Sequence, residues 1–284
     1  MRRARLALSL AAALATSVTA IPTPYNYEQA PLAAVESPGF VFGHPGQRVN
    51  VSLYVMSRCP DARMCESVFE DVLKHEGILD QVDLKLEFLG DIDRHAAYGV
   101  DCMHGDVECA GDAHQLCLAA HTPLEQFYAA LSCMNYGNFP GAIGTIALTR
   151  RCAETSGIDW WASGVGKCVE GKRAAMVGRY TQRLAALTGE GYEPRPKEWD
   201  TEDEDAPLEH LGKEARLRLA DSVRHTKKVG VTKSCTIEIA STLKHDKTRR
   251  CVVDGGVWKG CDDGHTAADF VRVISKEWKA LNPT

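Results

Sequence analysis

Two groups of cysteines in this sequence have the spacing to do chemistry. Cys59 lies in Ser57-Arg58-Cys59-Pro60, where an alternating apolar run gives way to a helical pattern. Unpaired backbone N–H groups and the positive end of a helix dipole at such a junction favour thiolate over thiol. A thiolate there could attack a disulfide sulfur and hold the product as a mixed disulfide. The other reading makes Cys59 half of a structural disulfide. A resolving cysteine normally stands three residues on, but position 62 is alanine. The next cysteine is Cys65, and a helix starting at Pro60 would separate the two Cα atoms by roughly 9 Å at 1.5 Å per residue. That exceeds the roughly 7 Å a disulfide spans. A start after Asp61, a plausible N-cap, would instead leave Cys59 to Asp61 unwound and able to fold back. Cys65 shares a stripe with Val68, Phe69 and Val72. It therefore reads as a resolving thiol, as a small buried hydrophobe, or as the partner of another buried cysteine, and the stripe favours an arrangement in which it is not bonded to Cys59.

The second group is Cys102-Met103-His104-Gly105-Asp106-Val107-Glu108-Cys109. Two cysteines around a histidine could suggest zinc, but no fourth ligand stands at a familiar spacing, and thiols in an oxidising lumen pair. A disulfide-anchored loop without metal is expected. His104 could shuttle protons at acid pH; ordering the loop by hydrogen bonding is the leading reading. The other seven cysteines, Cys117, Cys133, Cys152, Cys168, Cys235, Cys251 and Cys261, read as mostly structural, with a connectivity that spacing does not reveal. Eleven is an odd number, so at least one cysteine stays free or pairs outside the chain, and Cys59 is the best candidate.

The elements that must position these residues follow from periodicity. Val49, Val51, Leu53 and Val55 alternate with polar or aromatic residues, as do Val82, Leu84, Leu86 and Phe88. Between them Met64, Val68, Phe69, Val72 and Leu73 mark an amphipathic helix ending near His75, so Cys59 sits inside a strand–helix–strand unit. From Ala113 to His225 the pattern is helical, with helices predicted over Leu124–Tyr136, Ile143–Thr155, Lys172–Leu187 and Leu208–Lys227 and an exposed acidic loop over Gly189–Pro207. Strands return at Cys235–Ile239, Arg250–Val253 and Val257–Lys259, the last two flanking the turn Asp254-Gly255-Gly256, and a final helix spans Thr266 to about Leu281. The order β-α-β, helices, β-β-α predicts an α+β protein that resembles the thioredoxin fold with a long, mainly helical insertion at about 105–228, within a domain over 49–284.

Composition narrows the setting. The chain has 284 residues, 44% hydrophobic content and a formal net charge of −5 with both signs dispersed, which gives a sizeable core and no basic footprint for nucleic acid. Arg2, Arg3 and Arg5, an apolar run over Leu6–Ala15, and the small residues at Val18-Thr19-Ala20 read as a signal peptide over 1–20, too short to span a bilayer. A proline-rich extended segment, 21–48, follows, and no membrane span is expected after signal removal. Asn50-Val51-Ser52 is a glycosylation sequon.

Cys102-x-His104-Gly105-x-x-Glu108-Cys109, following a strand–cysteine–helix unit in a cysteine-rich chain, resembles the signature of the gamma-interferon-inducible lysosomal thiol reductase family. Ser57-Arg58-Cys59-Pro60-Asp61-Ala62-Arg63-Met64-Cys65 is similar to its fungal branch, with a degenerate CxxC. The resemblance spans about Val49 to Trp278. It implies a thioredoxin-like fold, reduction of protein disulfides in acidic vesicles, a secreted or lysosomal/vacuolar location, a small thiol as reductant and no cofactor, with Cys59 attacking and Cys65 or an external thiol resolving. The sequence departs from the pattern at Ala62, and at Val231-Thr232-Lys233-Ser234, where thioredoxin-like proteins carry a proline before the strand. A disulfide-stapled binding protein that keeps the fold without activity is the rival expectation.

Overall fold

The computed structural model describes residues 46–137, 139–172, 210–243 and 248–283. The signal peptide, the lead-in before residue 46, the predicted helix after Lys172 and the loop over Gly189–Pro207 lie outside the described residues.

The strands β1 (Val49–Val55) and β2 (Val82–Phe88) pair in parallel, in the register Val49 to Val82 through Val55 to Phe88. The strands β5 (Thr236–Ala240), β6 (Thr248–Val253) and β7 (Trp258–Lys259) complete a sheet of order β2-β1-β5-β6-β7, in which β5 runs antiparallel to β1. A parallel βαβ unit joined through its first strand to an antiparallel hairpin is the thioredoxin-like architecture expected from the order of elements. A short second sheet pairs β3 (Asp91–Ile92) with β4 (Val100–Asp101).

The helices are α1 (Pro60–Leu73), α2 (Ile78–Gln81), α3 (Asp106–His121), α4 (Leu124–Gly137), α5 (Ile146–Thr155), α6 (Val165–Glu170), α7 (Lys213–Val229) and α8 (Ala267–Leu281). Both faces of β1 are covered. Leu53 and Tyr54, consecutive residues that point to opposite faces, are both buried, and the Tyr54 ring stacks on His225 of α7. Phe69 of α1 meets Phe270 of α8 at 5.0 Å between ring centroids, which locks the site helix to the C-terminal helix. Helix α8 begins with a capping box in which Thr266 and Asp269 satisfy each other's backbone N–H groups.

Two local readings are corrected. Asp61 does not cap α1: the helix starts at Pro60 and its N-cap is Cys59, in extended conformation and without a side-chain capping bond. Proline is at home at that first position because its missing N–H would have no helical partner. The Asp61 carboxylate instead accepts from Gly255 N and Gly256 N, each at 2.8 Å. It thereby holds the β6–β7 turn, whose two glycines have φ of 66° and 73°. Asp61→Ala is expected to destabilise the protein by about 1 kcal/mol, read as a lowered midpoint in denaturant without a change in slope. The second correction is α3, which the predicted helices omit. Its buried residues include Glu108, Asp112, His114 and Gln115 alongside Cys109, Ala113 and Cys117, so it is enclosed on most sides and shows no amphipathic period.

Candidate functional site

The site is the turn between β1 and α1, held from three directions. The Cys59 N–H donates to Met56 O at 3.0 Å, and Arg63 N donates back to Cys59 O at 3.1 Å. From the β5 side, Ser234 Oγ accepts from Met56 N at 3.0 Å. From α3, Asp112 Oδ1 accepts from Ser57 N at 2.9 Å, and Glu108 O accepts from Ser57 Oγ at 3.2 Å. Gly111 makes this close packing possible, since a Cβ there would come within 2.5 Å of Ser57 Oγ. From the loop before α5, the Arg58 guanidinium donates through one nitrogen to the carbonyls of Pro140, Gly141 and Ile143.

Cys59 is the free cysteine, and the other ten form five disulfides. Its side chain is 8% exposed, and its Sγ lies 3.8 Å from the carbonyl oxygen of Ser234. The peptide bond between Ser234 and Cys235 is cis, at the place where the sequence lacks the expected proline. Cys65, read from the sequence as a possible resolving thiol, is bonded to Cys235 at the start of β5. It is fully buried and held by two elements, so in this state it offers Cys59 no thiol.

The eight-residue motif makes a clamp. Cys102 and Cys109 are disulfide-bonded across seven residues. Glu108, fully buried, accepts from His104 N at 3.1 Å through Oε1 and pairs with His104 Nδ1 at 2.5 Å through Oε2. Gly105, the N-cap of α3, has φ of 78°, a conformation that favours glycine. The loop is thus closed by a covalent bond and by a carboxylate that holds both the backbone N–H and the ring Nδ1 of His104, and α3 is fixed where it can hold Ser57. The remaining bridges are Cys117–Cys168, Cys133–Cys152 and Cys251–Cys261.

Buried titratable groups surround the turn. The Asp112 carboxyl is pushed well above the ordinary range, first by burial and then by the charge of Glu108. The Glu66 carboxyl on α1 is raised to about 8 by burial, against a 2.6 Å hydrogen bond from Asn135 Nδ2 that favours its charged form. Among the described residues, His121, Cys168 and Glu214 come together with metal-ligand spacing, but Cys168 is committed to Cys117 and carries no thiolate. A cavity of about 270 Å³ bounded by Arg150, Glu154 and Trp160 shares no residue with the turn. Sequence reasoning missed Ser234 and Asp112, which act from distant elements, and the pairing of Cys235 with Cys65. The only signal for that pairing was that Cys235 opens a strand predicted to join the same sheet.

A free cysteine stands at the N-cap of the first helix of a thioredoxin-like sheet, with ten further cysteines oxidised around it, an arrangement that can carry thiol–disulfide exchange. Residues 50–156, from β1 through the end of α5, match the model of the family described as Gamma interferon inducible lysosomal thiol reductase (GILT). The matched stretch contains Cys59, Cys65 and the whole Cys102–Cys109 motif. No curated protein matches the chain. Among solved structures it is similar to a putative protein disulfide isomerase from Nitrosomonas europaea (9% identity, TM-score 0.44, covering 83% of this chain and 100% of that one). It is also similar to the disulfide oxidoreductase DsbG from Mycobacterium tuberculosis (12%, TM-score 0.41, 83% and 84%) and to the cytosolic disulfide reductase DsbM from Pseudomonas aeruginosa (12%, TM-score 0.42, 81% and 99%). Five disulfides are the chemistry of an oxidising, non-cytosolic compartment. Among the described residues no helix is long and apolar enough to cross a membrane.

Proposed function

We propose that the protein is a thiol reductase of the secretory pathway or of a lysosomal or vacuolar lumen, acting on protein disulfides through Cys59 with a small thiol as the electron source. The observation that carries this reading is that Cys59 alone of eleven cysteines is unpaired, at a helix N-cap reached directly from β1, an interior strand of the sheet. Its thiolate attacks one sulfur of a substrate disulfide, forming a mixed disulfide and expelling the other sulfur as a thiol; a second thiol then attacks Cys59 Sγ and releases the substrate reduced. Cys102, His104, Gly105, Glu108 and Cys109 serve this chemistry by holding α3 against Ser57. Asn50, exposed near the start of β1, is the candidate glycan acceptor.

The test is a trap. Incubation with glutathione disulfide followed by acid quenching and peptide mapping should find one glutathione per chain, on the Cys59 peptide. Recovery of Cys59 unmodified after a time in which an unfolded control peptide is fully modified would discard the enzymatic reading in favour of a binding protein, the alternative that Ala62 in the CxxC position supports.

A further inference from the structure

We infer that the Cys65–Cys235 disulfide is the electron store of the Cys59 site, with Cys235 as the resolving cysteine, so that the protein works through three cysteines instead of a CxxC pair. This rests on the reading of Cys59 as the attacking thiol. Cys59 Sγ contacts the carbonyl of Ser234, the residue bonded to Cys235, while Ser234 Oγ receives Met56 N, so the start of β5 is docked on the Cys59 turn. Cys65 cannot take the resolving part directly. Helix α1 runs unbroken from Pro60, which separates it from Cys59 by roughly 9 Å of helix rise. Cys235 comes from another element and is not bound by that spacing. Burial sets the order of events: Cys65 and Cys235 are both fully inaccessible, whereas Cys59 retains some exposure. A soluble thiol can therefore exchange electrons with the buried pair only by way of Cys59.

The cycle balances. In the reduced protein all three sulfurs are thiols. Cys59 attacks a substrate disulfide, giving a Cys59–substrate mixed disulfide and one substrate thiol. Cys235, as thiolate, attacks Cys59 Sγ, giving Cys59–Cys235 and releasing the second substrate thiol. Cys65 then attacks Cys235 Sγ, forming Cys65–Cys235 and returning Cys59 as a thiol, the state described here. Two electrons and two protons have passed to the substrate. Recharging runs the same exchanges backward: Cys59 opens Cys65–Cys235, one small thiol displaces Cys235 from Cys59, and a second removes the first as a small-molecule disulfide.

Two measurements decide it. Wild-type and Cys59→Ser protein are exposed to limiting reduced glutathione, quenched with an alkylating agent and mapped. Labelling of Cys65 and Cys235 should appear in the wild type and be slower by at least about tenfold in Cys59→Ser, because the route through Cys59 is gone; equal rates would overturn the relay. In Cys65→Ser, mild oxidation should yield a Cys59–Cys235 cross-link, and recovery of both as free thiols would overturn it too. If Cys65→Ser does not fold, the first comparison stands alone, since it requires only the wild type and a substitution at a cysteine that forms no disulfide in this state. Glutathione trapping at Cys59 reads the parent proposal separately: trapping with equal labelling rates rejects the relay and keeps the reductase, whereas no trapping rejects both.

Discussion

Cys59→Ser should bring the reduction of a denatured disulfide substrate by a small thiol down to the rate of that thiol alone, a fall of at least about a hundredfold. Serine preserves the shape and the N-cap position, so circular dichroism and melting temperature should be nearly unchanged; the loss is of the one sulfur that is not in a disulfide. Ala62→Cys should act in the opposite direction. Residue 62 is one helical turn beyond Cys59, and by helix geometry the two Cα atoms lie about 5 Å apart, within disulfide range. Ala62 is buried with 1% exposure, so the added sulfur must be accommodated by neighbours, at a cost of about 1 kcal/mol in stability. The gained vicinal pair would resolve the mixed disulfide without Cys235, and the rate should rise by about tenfold. An unchanged rate in Cys59→Ser would remove the enzymatic assignment whatever Ala62→Cys does.

Stability should peak on the acid side of neutrality, near about pH 4 to 5, and fall steadily toward pH 8. The Glu66 carboxyl is held at about 8 in the fold against an ordinary value of 4.5. From pH 4.5 to 8 the unfolded chain has lost that proton and the folded chain has kept it, so raising the pH favours unfolding by about 1.4 kcal/mol per unit. Asp112, also raised by burial, adds in the same direction from pH 3.8 upward. His114 opposes them. Its imidazole is fully buried, with Nδ1 paired to Thr149 Oγ1, and burial lowers it to about 3. Between pH 6.5 and 3 the unfolded histidine takes up a proton that the folded one refuses, so stability is lost as the pH falls. Between pH 4.5 and 6.5 Glu66 offsets the histidine and the raised Asp112 tips the balance toward loss of stability; above 6.5 the histidine no longer opposes Glu66. Melting temperatures measured from pH 3 to 8 test the profile, and Glu66→Gln should remove about 1.4 kcal/mol per unit from its alkaline slope. A melting temperature that is level or rising from pH 5 to 8 would refute the assignment of these buried acids. Such a profile would suit work in an acidic lumen.

The two predictions draw on different kinds of information. Cys59 was visible as a candidate because the period-two pattern over Val49–Val55 and the helical pattern after it place the residue at a junction, and junction chemistry is local. Glu66, Asp112 and His114 carried no comparable signal. A glutamate two turns into an amphipathic helix normally lies on the wet face, and only the packing of α4, which brings Asn135 to it, makes it an interior group. The same contrast divides the helices. α4 and α5 were predicted nearly in place, the prediction beginning three residues early for α5, because each keeps one polar face, whereas α3 has too many buried positions to show a period.

By itself the sequence determined the strand–helix–strand unit and the terminal hairpin and helix, the oddness of the cysteine count, and the Cys102–Cys109 motif that lies within the segment matching the family model. All of these rest on spacing along the chain, and spacing survives in one dimension. Which cysteines pair was left to the tertiary structure, because a disulfide needs two Cα atoms within about 7 Å, and the Cys65–Cys235 bond crosses 170 residues of sequence. The start of α1 was decided there too. Local propensities allowed either Pro60 or a later residue to begin the helix, and the choice fell to contacts from afar: Ser234 on Met56, Asp112 on Ser57, and the β6–β7 turn on Asp61. Those contacts hold the thiol of Cys59 against β5 and give Cys65 to a partner that no reading of the first helix alone could supply.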